Sequence, residues 1–392
     1  MAVSRKIEGF ISQSSWIRKM FEDGVRLKKE YGAENVFDFS LGNPNVPPPA
    51  RFKEVLREIA GEDIPGMHSY MPNAGYPETR EAIAAYLTKE HTVSLSAEHI
   101  IMTCGAGGAL NVILKTLLDP GDEVLIPTPC FVEYKFYVDN YGGVTKLVET
   151  KNDFSLDLTA LENAITGKTK VVLINSPNNP TGKVYDEESI NGLADLLDEK
   201  GRGYGTKIYL VSDEPYSAIV YDGVKEPSVL KAYKNSIIAT SYSKTVSIPG
   251  ERIGFIAASP ELSDLEKIMS GMVLCNRILG FVNAPALMQR VIAKMQGIRV
   301  DVEEYRRKRE LLCEGLSSLG YRFVKPEGAF YLFPSTPIED DIEFVRLLQK
   351  KNILTVPGTG FGKPGHFRIA YCVDDATIIN SMKGFGEVIS SL

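Results

Sequence analysis

Short, nearly unbroken apolar runs recur along the first two thirds of the chain, separated by longer stretches in which apolar residues return every three or four positions. Ile100–Thr103, Glu123–Ile126, Val171–Ile174, Ile208–Val211, Ile237–Ala239 and Ile253–Ala258 read as strands, and 107–118 and 187–199 read as helices between them. Strands that are apolar without alternation are those covered on both faces, so the pattern predicts an α/β fold: a largely parallel sheet covered on both faces by helices. The last third changes character. A charged helix over Asp301–Leu319 is followed by short strands at Tyr321–Val324 and Phe330–Phe333, a helix from Ile342 and a strand near Phe367–Tyr371, which together predict a smaller α+β unit. Pro44 to Pro49 reads as a stiff, extended connector.

At 392 residues the chain exceeds what one core comfortably serves, so two domains are expected. Composition is that of an ordinary globular protein, with 44% hydrophobic and 24% charged residues. Lys and Arg number 44 against 50 Asp and Glu, a net charge of -6 without a basic block, which argues against a nucleic-acid partner. No apolar run reaches the ~20 residues of a membrane span and the start of the chain lacks a signal-peptide core; a cytosolic protein without membrane association is expected. The five cysteines form no C-x-x-C pair and the four histidines none at ligand spacing, so neither a disulfide framework nor a metal site is expected.

Four segments following strand-like runs carry chemistry. Ser241-Tyr-Ser-Lys-Thr-Val-Ser-Ile-Pro-Gly-Glu-Arg-Ile-Gly254 puts Lys244 just past a strand's carboxyl end, where open α/β sheets bind ligands, and Arg252 eight residues on. A free lysine is a poor nucleophile at neutral pH, whereas one joined to an aldehyde cofactor is not, and the matching cofactor is pyridoxal phosphate. Thr103-Cys-Gly-Ala-Gly-Gly-Ala-Leu110 turns a strand into a helix with small residues that let backbone amides approach a phosphate. A dinucleotide fingerprint would need glycine where Leu110 stands, which opposes a nicotinamide dehydrogenase. Asn175-Ser-Pro-Asn-Asn-Pro-Thr-Gly182 brackets Asn179 with prolines. Ile208-Tyr-Leu-Val-Ser-Asp-Glu-Pro-Tyr216 ends a buried strand on Asp213, a carboxylate that needs a partner such as a protonated pyridine nitrogen.

In this order the segments resemble the class I/II pyridoxal-phosphate aminotransferases of fold type I, the group that includes aspartate aminotransferases, from Gly42 to Arg368. The resemblance implies a large cofactor-binding domain holding a mixed, mainly parallel seven-stranded sheet, here 46–285, and a small α+β domain from both termini, 1–45 and 286–392, in a homodimer whose subunits share each active site. It makes Lys244 the Schiff-base lysine and proton carrier, pairs Asp213 with the pyridine nitrogen, and gives Tyr216 and Asn179 to the ring oxygen. The phosphate falls to the amides of Ala106 and Gly107, to Ser241 and Arg252, and to Tyr70 from the neighbouring subunit. Phe131 takes the place of the stacking aromatic ring, Arg368 that of the arginine gripping the substrate α-carboxylate, and Gly42 that of the entrance-loop glycine.

An exchange between an amino acid and a 2-oxo acid is implied, with aspartate and 2-oxoglutarate favoured and neutral or aromatic donors next. Gly107 and Gly108 stand where some aspartate-specific relatives carry a lysine, and Arg277 lies near the place from which others present an arginine to the partner's substrate. β-Elimination on the same fold, or a ligand-binding regulator without turnover, are the alternatives.

Overall fold

The computed structural model describes residues 3–12 and 16–392. Its strands are β1 (Phe37–Asp38), β2 (Ile100–Thr103), β3 (Glu123–Thr128), β4 (Val144–Glu149), β5 (Thr169–Asn175), β6 (Tyr209–Asp213), β7 (Ser236–Ser241), β8 (Gly254–Ala258), β9 (Tyr331–Leu332), β10 (Ile353–Leu354), β11 (Val356–Pro357) and β12 (Phe367–Ala370). Seven of them form one sheet in the order β2-β8-β7-β6-β5-β3-β4. Only β8 runs against its neighbours; the other pairings are parallel. This is the mixed, mainly parallel seven-stranded sheet that the resemblance implies, built on the strands the apolar runs predict.

Side chains alternate between two cores, one on each face. Leu125, Val172, Ile174, Leu210 and Ile238 enter one; Val124, Ile126, Val171, Leu173, Val211 and Ile237 enter the other. Both faces are therefore apolar, which is why these strands lack polar alternation. The helix Glu187–Tyr204 illustrates how the covering layer is fixed: Asp186 caps its start by accepting from the Ser189 amide at 2.7 Å, Ile190, Leu193, Ala194 and Leu197 give it one apolar face, and Gly205 at φ 65 ends it in a left-handed turn.

Two smaller sheets lie in a third core. β1 pairs in parallel with β10, and β12 sits between β11 and β9 with both pairings antiparallel. The helices Val302–Ser318, Asp341–Gln349 and Asp375–Ser390 cover them. The N-terminal strand thus joins elements from the far end of the chain. Pro44 to Pro49 carries no regular structure and leads into the helix Ala50–Gly61.

Two local expectations change. Tyr321–Val324 forms no strand: the Tyr321 amide closes the preceding helix on the Leu316 carbonyl at 3.1 Å. An edge strand, β4, stands where no apolar run announced one, because five of its six residues are Thr, Lys or Glu or are exposed Val and Leu. Among the described residues no helix is long and apolar enough to cross a membrane.

Candidate active site

The carboxyl ends of β2, β3, β5, β6 and β7 open on one edge of the large sheet, and the segments singled out in the sequence meet there. Asp213 ends β6, buried at 6% exposure. Tyr134, from the helix that follows β3, donates its hydroxyl to Asp213 Oδ2 at 2.6 Å, while Oδ1 is buried with no hydrogen bond. Burial pushes Asp213 up to about 7 against the opposing pull of Tyr134. Asn175, at the end of β5, donates to the Asp213 carbonyl at 2.8 Å and accepts from the Asn179 amide at 2.7 Å, so the β5 loop is tied to the β6 end.

Past β7, Ser241 accepts from the Ser243 amide at 3.4 Å and starts a single helical turn, Tyr242–Thr245. That turn lifts Lys244 off the strand. Its Nζ donates to the Gly42 carbonyl at 2.6 Å and lies 5.5 Å from the centre of the Phe330 ring. Burial lowers Lys244 to about 8, with Arg368 and Arg252 adding to the same direction.

Arg368 reaches the same space from β12, with 2% of its surface exposed. Nη1 donates to Asn179 Oδ1 at 3.0 Å and Nη2 to the Ser40 carbonyl at 2.5 Å, while Nε is buried without a partner. The guanidinium lies between the rings of Tyr331 and Phe361, at 4.8 and 4.9 Å from their centres. Tyr216 shares a 2.7 Å hydrogen bond with the Tyr331 hydroxyl.

The glycine-rich turn starts the helix Gly105–Leu117, with Ala106 and Gly107 half-buried in its first turn. Gly105 has φ +73, and a Cβ there would lie 2.8 Å from Arg252 Nη2; one on Gly254 would lie 2.4 Å from the Thr240 carbonyl oxygen. Only glycine lets these backbones come so close. Arg252 donates to the Pro249 and Cys104 carbonyls at 3.0 and 3.4 Å, which fixes it beside the turn. Phe131 meets Tyr134 edge-on at 5.5 Å.

Two residues stay outside. Tyr70 is 90% exposed, with no hydrogen bond to the cluster among the described residues. Arg277 is exposed on the helix Leu265–Ile278, its side chain without an ion pair among the described residues. Conversely, Tyr134, Asn175, Phe330, Tyr331 and Phe361 join the site unannounced. Phe330 and Tyr331 lie in an apolar run and read as core, and Ser40 takes part through its carbonyl, which its identity does not reveal.

The family model for aminotransferase class I and II matches residues 34–383. A probable aspartate aminotransferase of Methanocaldococcus jannaschii is 33% identical over 91% of this chain and 94% of that protein. An aromatic-amino-acid aminotransferase of Thermococcus litoralis is 33% identical over 99% of this chain and 98% of its own length. Among solved structures, an aminotransferase from Eubacterium rectale superposes with a TM-score of 0.96 at 39% identity, covering 100% of this chain and 99% of that one. The Thermus thermophilus aspartate aminotransferase with maleate superposes at 0.88 with 30% identity, covering 99% of this chain and 100% of that one. Sequence and fold agree along nearly the whole length, and the chain belongs to the class I and II aminotransferases.

Proposed function

We propose that this aminotransferase uses pyridoxal phosphate held by the residues gathered at the sheet edge, acts as a homodimer, and takes L-aspartate as amino donor with 2-oxoglutarate as acceptor. The observation that carries the cofactor reading is the juxtaposition of a partly buried lysine of lowered basicity with a buried carboxylate that has one oxygen unbonded. Asp213 Oδ1 is open to a protonated ring nitrogen, and the close approach of Gly105, Gly254 and Arg252 leaves a backbone cradle suited to a phosphate at a helix start. When bound, pyridoxal phosphate supplies an aldehyde for amino groups and a ring that takes up electrons released at the substrate α-carbon.

Each residue then has a task. Asp213, oriented by Tyr134, holds the ring nitrogen's proton by its charge. Lys244 carries the proton to and from the substrate α-carbon; a group poised at about 8 releases and retakes a proton near neutral pH. Arg368 grips the α-carboxylate, its plane fixed by Asn179, Ser40 and the two flanking rings. Asn179 and Tyr216 face the ring oxygen, Phe131 its face, and Ala106, Gly107, Ser241 and Arg252 the phosphate. Gly42 brings its backbone to the substrate entrance and positions Lys244 through its carbonyl. Tyr70, exposed in one chain, is suited to reach a neighbouring subunit's phosphate.

Purified protein mixed with pyridoxal phosphate should turn yellow, and L-aspartate should shift the visible band and yield oxaloacetate, with glutamate formed from 2-oxoglutarate. A protein that the cofactor does not colour overturns the cofactor reading. A shift with phenylalanine but none with aspartate replaces the substrate reading by the aromatic one, which the Thermococcus litoralis relative favours.

Aspartate also needs a cation for its side-chain carboxylate, and Arg277, exposed and without an ion pair among the described residues, is assigned that part across the dimer. Arg277→Ala should therefore cost aspartate roughly 2–5 kcal/mol in kcat/KM, the penalty for a carboxylate left unpaired. Alanine and phenylalanine should be spared. Equal losses for all three donors in steady-state kinetics would remove Arg277 from substrate recognition.

A further inference from the structure

We propose that Tyr331 is a positioning residue of this site: its hydroxyl fixes the phenol of Tyr216 while its ring fixes the guanidinium of Arg368. The proposal rests on the cofactor reading above. No motif in the sequence singles the residue out, and its placement in the fold is what does so.

Tyr331 begins β9, where it pairs with Ala370 of β12 two residues beyond Arg368. It is led in by Ala329, a non-glycine residue at φ +55, a region that costs an L-residue energy and persists where surrounding structure enforces it. Several contacts do so. The Ala329 amide donates to the Ile219 carbonyl at 2.9 Å. Its carbonyl accepts from the hydroxyls of both Tyr221 and Tyr371. The strained turn drives Phe330 and Tyr331 into the site, one under Lys244 and the other under Arg368.

The two buried hydroxyls of Tyr216 and Tyr331 stand 2.7 Å apart, and neither has another hydrogen bond among the described residues. One of their two protons lies between them. The other is buried and needs an acceptor, since a hydroxyl left unbonded inside a protein is costly. If Tyr331 donates, the free proton is that of Tyr216 and is available to the oxygen on the cofactor ring. Donation into the Tyr216 oxygen also strengthens Tyr216 as a donor. Gly42 completes the arrangement, because a Cβ there would come within 2.0 Å of the Tyr331 hydroxyl. A single side chain thus sets the ring-oxygen contact and the carboxylate grip together.

The test is a pH titration of the visible absorbance of the cofactor-loaded protein, with steady-state kinetics beside it. A hydrogen bond to the ring oxygen favours its anionic form, so weakening Tyr216 as a donor must raise the pH at which the band changes. Tyr331→Phe, which keeps the ring on Arg368, should raise that midpoint by roughly half a pH unit and lower kcat, leaving KM within about twofold. Tyr331→Leu, which removes the ring as well, should in addition raise KM for every amino acid alike. A midpoint unchanged in Tyr331→Phe, beside a normal band in the wild type, overturns the role of Tyr331 alone. A wild-type protein without a visible band overturns the cofactor reading and this role with it.

Discussion

Lys244→Ala should lower transamination at least about 1,000-fold while the protein still takes up cofactor noncovalently, because the phosphate cradle, Asp213 and Asn179 are contributed by other residues. Borohydride reduction followed by peptide mapping provides the measurement: in the wild type the cofactor should be fixed to the peptide carrying Lys244. An adduct on any other lysine would contradict the assignment. Stability supplies an independent readout. Burial holds Lys244 at about 8 against an ordinary 10.5, so the folded, cofactor-free protein bears the cost of an enclosed charge in full below pH 8 and sheds it as pH rises towards 10.5. The alanine variant without cofactor should therefore be the more stable of the two at pH 7, and the difference should close by about pH 10.5.

Asp213→Asn should have the second-largest effect, a fall in turnover of at least about 100-fold, since a neutral amide cannot balance a protonated ring nitrogen. Its effect on the cofactor-free protein should have the opposite sign. The carboxyl is raised by burial to about 7 from 3.8, so below pH 3.8 folding leaves it untouched, and as pH climbs to 7 the unfolded chain gains an ionisation that the folded one resists. Above pH 7 the penalty is complete. Chemical denaturation at pH 8 should accordingly find the cofactor-free asparagine variant stabilised. Near-normal turnover would make Asp213 a structural residue.

Much of this architecture was legible because burial on both faces writes itself as uninterrupted apolar sequence: β2, β3, β5, β6, β7 and β8 stand where the runs put them. The edge strand β4 escaped, since one side of it meets water and its residues are accordingly mixed. Tyr321–Val324 misled for the converse reason. Tyr321 is buried through its ring, with its hydroxyl on the Phe385 carbonyl at 3.1 Å, and burial without strand pairing looks the same in sequence. At the sheet edge, residues near turn-forming segments were readable: Lys244, Asp213, Asn179 and Arg368 do converge. Tyr134 and Tyr331 were not, because a tyrosine in sequence carries no sign of what its hydroxyl meets. Tyr70 and Arg277 stay exposed in the single chain, and the other predicted residues gather without them.

Lys244 and Arg368 come from different sheets, yet both donate to carbonyls of the same three-residue strap, Gly42 and Ser40 respectively. The strap is thereby a resident competitor. Any anion that takes Arg368 Nη2, and any electrophile that takes Lys244 Nζ, exchanges one hydrogen bond for another, so the gain on binding is the difference between two interactions and not the whole of one. Losing one tether leaves the strap to the other, to the Asp38 carboxylate that holds Ser40, and to the Cys372 thiol on the Leu41 carbonyl. Occupation of either donor therefore loosens the segment that restrains its counterpart, and the two events are thermodynamically linked through a piece of backbone that contributes no side chain to either.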